Sequence, residues 1–235
     1  MSEIKQRENE RIHRIIARIH TDFPTKFGIP RQSGLVEALK AEIVFEPEYQ
    51  NPEAFRGIEE FSHLWLLWEF SEAVRKEWSP TVRPPRLGGN KRMGVFATRS
   101  PFRPNAIGLS CVKLEKVELR TERGPVLHVS GADLMDGTPI YDIKPYLPFA
   151  DSHPEATGGF SDKTKNHHLD VMIPAEFLEQ VEEEKREALR AVLMHDPRPS
   201  YQNDPNRIYG MEFAGYEVKF RVEDGILSVI TINQM

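Results

Sequence analysis

The sequence predicts a mainly β fold: a small β-barrel followed by a small α+β unit, with no Rossmann fold. Three observations carry this reading. Short apolar stretches at strand spacing recur through residues 12–150, with few helical stretches between them. Residues 151–168 are polar, carry Gly158-Gly159 and His167-His168, and read as a linker. Residues 169–235 then combine one amphipathic helix with a hairpin, and at that size they need the barrel for stability.

Taken in order, Ile12 to His20 reads as a strand or the end of a short helix. The next loop is punctuated by Pro24, Gly28, Pro30 and Gly34, and Ala41 to Phe45 is a strand. Asn51 followed by Pro52 marks an N-cap and first helical position, so a short helix follows. His63 to Phe70 (HLWLLWEF) reads as a strand buried on both faces. Met93 to Thr98 is expected as a barrel strand, as are Ile107 to Leu119, Val126 to Gly131 and Thr138 to Lys144. Pro174 opens a helix whose apolar stripe is Leu178, Val181, Leu189, Val192 and Leu193. Pro197 stops it, and Asp224-Gly225 turns the last hairpin.

The net charge is −5, from 31 basic and 36 acidic residues, which alone suggests no polyanion. The distribution says otherwise. From Trp78 to Leu114 there is no Asp or Glu, while Arg83, Arg86, Lys91, Arg92, Arg99, Arg103 and Lys113 all fall there. Such a patch attracts polyanions even on an acidic molecule. Cys111 is the single cysteine, so a disulfide framework within one chain is excluded and a reducing, cytoplasmic setting is expected. Its bland reading is a buried structural thiol. The first residues lack the apolar core of a secretory signal.

Several chemistries are absent from the pattern. No G-x-G spacing occurs, so the Rossmann phosphate fingerprint fails. There is no P-loop and no H-E-x-x-H, and His167-His168 would point opposite ways in a strand, so no metal is expected. The run Glu182 to Glu184 reads as a solvated helix face. What remains is four polar islands beside apolar strands: Pro30-Arg31-Gln32, Ser62-His63-Leu64, the Arg92 to Ser110 segment, and Asp133 to Ala150. Taken singly these are turns, a core histidine and surface ion pairs. Taken together they describe a pocket at a barrel rim.

At these residues the chain resembles a known family. GIPRQSGL, FSHLWLL, RPPRLGGNKRMGVFATRSPFRPNAIGLS and DGTPIYDIKPYLPFA resemble the TrmO (TsaA-like) family of bacterial tRNA methyltransferases. DPRPSY, Asp196 to Tyr201, resembles the appendage of the bacterial members. Ala106 departs from the family's usual second proline in RPNPIG and removes no functional group. The resemblance implies a small barrel that binds S-adenosyl-L-methionine, a homodimer, and N6-methylation of threonylcarbamoyl-adenosine next to the anticodon of tRNA. The alternative is a non-catalytic module that senses S-adenosylmethionine or binds RNA; a third reading is a purely structural dimeric barrel.

The residues can be matched to that chemistry. The cofactor's carboxylate calls for an arginine fork, and Arg31 and Arg99 are candidates. Adenine calls for a flat slot with edge hydrogen bonds from His63, Gln32 and the Leu64 and Leu134 backbones. The ribose diol or ammonium suits Asp133 or Asp136, and Pro30 and Leu109 complete the set. A hydrogen-bond acceptor at the target N6 would localise its lone pair; Asn105 is the first candidate and Asp142 the second. Arg83, Arg86, Lys91, Arg92 and Arg103 are expected to meet phosphates, and Lys144 or Tyr146 the modified base.

Overall fold

The computed structural model describes residues 11–73, 77–84, 87, 91–163, 167–199, 202 and 204–235. Six antiparallel strands close a barrel in the order β1-β2-β7-β6-β3-β8. They are β1 (Ala17–His20), β2 (Lys40–Phe45), β3 (His63–Glu69), β6 (Ile107–Glu118), β7 (Val126–Ser130) and β8 (Thr138–Pro145). The mainly β expectation holds.

Alternation sets which side chains fill the barrel. In β3, Leu64, Leu66 and Trp68 are buried, while His63, Trp65, Leu67 and Glu69 are only partly covered. This corrects the reading of HLWLLWEF as buried on both faces: one face is core and the other is the outside of the barrel. Ala17, Ile19, Ile43, Val112, Leu127, Val129 and Ile140 complete the filling. Phe45 and Phe55 meet edge to face at 4.6 Å and plug one end. Phe55 sits on a 3-10 helix, Pro52–Phe55, whose N-cap Asn51 accepts from the Glu53 amide, as the Asn-Pro pair foretold.

Met93 to Thr98 is not a barrel strand. Met93–Gly94 (β5) pairs only with Thr81–Val82 (β4), and Val95–Ala97 turns as a 3-10 helix. The reason is the partner: β4 lies between Pro80 and Pro84, neither of which has an amide hydrogen, so the ladder cannot lengthen.

After α1 (Pro148–Asp151) comes the second unit. A four-stranded sheet runs β10-β11-β12-β9, from Tyr209–Phe213, Tyr216–Glu223, Ile226–Gln234 and Asp170–Met172. The expected single helix is two: α2 (Ala175–Leu178) and α3 (Glu183–Met194), broken where Val181 turns into the core. The Asp224-Gly225 hairpin turn forms, with both φ values positive at 49° and 80°.

The two cores do not divide where the sequence changes character. Phe23, Val36 and Leu39, all in the loop between β1 and β2, are buried with Leu189, Val192, Leu193, Met211 and Phe213 of the second unit. Phe23 meets Phe213 edge to face at 5.4 Å. No helix among the described residues is long and apolar enough to cross a membrane.

Candidate functional site

One end of the barrel is open. There the end of β3, the start of β6, the β7–β8 turn and two loops surround a cavity of about 540 Å³. Its walls bring together Pro30, Arg31 and Gln32 from the β1–β2 loop, Arg99 and Arg103 from the loop before β6, Leu109, Asp133 and Leu134. Residues from three of the four polar islands of the sequence thus meet in one place; Ser62-His63-Leu64 does not join them.

The cavity carries a built polar edge. The Trp68 indole N–H donates to Ser110 Oγ at 2.9 Å, and the Ser110 hydroxyl donates to Asp133 Oδ1 at 2.5 Å. Burial pushes the Asp133 carboxyl up; the Ser110 hydroxyl, backbone amides and the charge of Arg99 oppose that push without cancelling it. Arg99 donates to the Gln32 side-chain oxygen, and the Gln32 amide donates to the Arg31 carbonyl. Arg31 Nη2 donates to the carbonyl of Arg198 at 2.9 Å. Trp68, Phe70, Ile29 and Leu134 supply apolar wall.

Other expected site residues lie elsewhere. His63 is at the far end of β3, whose seven residues separate it from Glu69 by roughly 20 Å. There His63 Nδ1 faces Ser62 Oγ at 2.9 Å, and Leu64 is buried in the barrel core. Asp136 accepts from the Thr21 amide at 3.1 Å, faces His20, and is not part of the cavity wall. Asp142 is opposite Leu67 on the outer face and pairs with Lys144 at 2.8 Å. Tyr146 packs beside Trp65 with ring centroids 5.7 Å apart.

Asn105 lines a second cavity, of about 370 Å³, with Trp78, Arg103 and Tyr141. The two cavities share Glu69, Pro101, Arg103 and Ile107. Arg83, Lys91 and Arg92 are exposed, and Arg86 lies outside the described residues. Trp78 and Phe96 stack at 6.2 Å, both largely exposed beside this basic stretch.

Sequence reasoning missed Trp68, Phe70, Ser71, Thr98 and Thr138 in the first cavity. Reading β3 as two-sided hid Trp68. Strict alternation from Leu64 would have put it inside, at the open end.

Residues 18–152 match the family model for the tRNA-methyltransferase O N-terminal domain, and residues 166–235 that for the TrmO C-terminal domain. The chain belongs to the tRNA-methyltransferase O family. It is 42% identical over 222 residues to the tRNA (adenine(37)-N6)-methyltransferase of Escherichia coli (strain K12), covering 91% of this chain and 94% of that one. It is 48% identical over 167 residues to the Eikenella corrodens protein of the same description, covering 71% and 93%. A crystal structure of TrmO from P. aeruginosa superposes with a TM-score of 0.78 at 32% identity, covering 96% of this chain and 98% of that one.

Proposed function

We propose that this chain is an S-adenosylmethionine-dependent tRNA methyltransferase acting on N6 of adenosine 37 in its threonylcarbamoyl-modified form. The observation that carries the reading is the convergence of Arg31, Arg99 and Asp133 on one largely apolar cavity that borders the cavity of Asn105. About 540 Å³ falls within the range of small-molecule sites. The donor set fits the cofactor group by group. Arg31 and Arg99 match its carboxylate, Asp133 its ammonium or ribose hydroxyls, and the Trp68, Phe70 and Leu134 walls its adenine.

When bound, the cofactor supplies an electrophilic methyl group on a sulfonium. The protein's part is orientation and exclusion of water. Asn105, rather than Asp142, takes the target N6–H, because Asn105 lines the cavity that adjoins the cofactor cavity while Asp142 sits in an ion pair on the outer face. Its side-chain oxygen accepts a hydrogen bond from N6–H and directs the lone pair. An amide cannot take the proton, so the proton leaves to water at this exposed loop. Arg103, in the wall common to both cavities, suits the carboxylate of the modified base.

Arg83, Lys91 and Arg92 hold tRNA phosphates, and the exposed Trp78 and Phe96 offer stacking surface to unpaired bases. The reaction places the protein in the cytoplasm, with tRNA. On the outer barrel face Trp65, Leu67, Leu109, Cys111 and Tyr146 form an apolar, only partly covered surface bordered by the Asp142–Lys144 pair, and a second copy of the chain is its proposed occupant. Cys111, read from sequence as a buried thiol, lies half-buried on this face.

The test is nucleoside mass spectrometry of tRNA incubated with the protein and S-adenosylmethionine. Conversion at position 37 is expected; binding without turnover would favour the sensing alternative. By calorimetry, Arg31→Ala and Arg99→Ala should each weaken S-adenosylmethionine binding about tenfold or more. If both stay within twofold, the carboxylate assignment is wrong.

A further inference from the structure

Among the described residues, all those lining the barrel-end cavity lie between Lys26 and Thr138, and none of the second unit's side chains is among them. Yet the loop that carries Arg31 is mounted on the second unit. Phe23, Val36 and Leu39 flank that loop and are buried in the second unit's core, and Phe27 and Ile29 pack against the same core. Gly28, at φ +99°, brings bare backbone against Met211; a Cβ there would lie 2.2 Å from the Met211 sulfur. At the loop's start, the Ala214 amide donates to the Asp22 carbonyl at 2.8 Å. The Asp22 carboxylate is held by Lys185 of α3 at 2.8 and 3.0 Å.

Arg31 itself ends on that unit. Its Nη2 donates to the carbonyl of Arg198. The residue that carries this carbonyl is anchored by its own side chain. The buried Arg198 guanidinium grips Asp196 through two bonds, Nε to Oδ1 at 2.8 Å and Nη2 to Oδ2 at 3.0 Å. Asp196 stands in the left-handed region at φ 52°, and His167 faces its second oxygen at 3.1 Å. Burial works against the Asp196 charge, but Arg198 and His167 outweigh it and keep the carboxyl below its ordinary range. A second hollow, between Lys26–Arg31 and Val192–Pro199, shares Arg31 with the cofactor cavity.

We infer that Arg198 is a positioning residue for cofactor binding: the Asp196–Arg198 pair fixes the Arg198 carbonyl, which fixes the Arg31 guanidinium in the barrel-end cavity. This rests on the reading of that cavity as the S-adenosylmethionine site. A free arginine side chain samples many rotamers. Holding it from behind before the ligand arrives removes part of the ordering cost from binding.

The test uses the full-length protein. Asp196→Asn removes the charge of the pair, and asparagine tolerates a left-handed φ better than other non-glycine residues. Calorimetric titration with S-adenosylmethionine should show affinity lowered about five- to tenfold, with kcat at saturating cofactor within about twofold of wild type. Added to Arg31→Ala, the same substitution should change affinity by less than twofold, because its effect passes through Arg31. Circular dichroism fixes a temperature at which every variant is folded. If Asp196→Asn is unfolded throughout, Arg198→Lys, which keeps the charge and loses the fork, takes its place under the same criteria. Unchanged affinity in the single variant, or losses that multiply in the double variant, overturns the inference alone. A wild-type protein that binds no S-adenosylmethionine overturns the reading beneath it as well.

Discussion

Asp133 shows how one side chain is tuned by what touches it. It was legible as a site residue because an aspartate ends an apolar stretch, Val126 to Ala132, where a strand should give way to a pocket rim. Its environment was not legible. Ser110 and Trp68 come from β6 and β3, and only their pairing aligns the indole, hydroxyl and carboxylate in one hydrogen-bonded row. Burial raises the Asp133 pKa against these bonds. On acidification Asp133 takes up its proton before an ordinary aspartate, whose pKa is about 3.9, and loses its hold on a cationic ligand. S-adenosylmethionine affinity should therefore fall as pH drops through that raised value. Asp133→Asn should bind weakly and with a flatter profile. A wild-type affinity that stays level from about pH 7 to about pH 4 would remove Asp133 from the ligand's contacts.

The elements that form the site owe their placement to a few sterically exact neighbours. On β6, Gly108 lies directly across from Trp68 of β3, and a Cβ at Gly108 would come 2.2 Å from Trp68 Cε2. The missing side chain is what lets the indole lie over the strand and reach Ser110. Gly108→Ala should displace the ring, cost about 1–3 kcal/mol in urea unfolding, and weaken cofactor binding through the Ser110–Asp133 row. Replacing Trp68 with leucine in the same protein should recover part of the stability and none of the binding. β6 and β8 could be read from their apolar patterns, close to their true ends. The strand expected from Met93 to Thr98 could not, because its length depends on a partner held between two prolines. β9 escaped for a related reason: three residues, parallel to β12, leave almost no periodic signal.

At the scale of the molecule, charge and assembly decide how a tRNA is met. Arg83, Lys91 and Arg92 are exposed on a segment free of acids, although the chain as a whole is acidic. If these three meet phosphates, the logarithm of tRNA affinity should fall with the logarithm of salt at a slope of about −2. Arg92→Ala should flatten it by about 0.7. Fluorescence anisotropy over a salt series measures both, and a flat wild-type series would exclude the patch. Class, strand-rich barrel, basic segment and the cavity's Arg31, Gln32, Arg99, Arg103 and Asp133 were readable along the chain, because alternation, turn residues and charge runs are local. The position of the arginine loop was not. Phe23 and Leu39 lie more than 140 residues from Leu189, Met211 and Phe213, and burial among them leaves no mark on local pattern. Strand pairing and core packing alone put Arg31 between a cavity in one unit and a buried ion pair in the other, since both depend on contacts that sequence proximity does not encode.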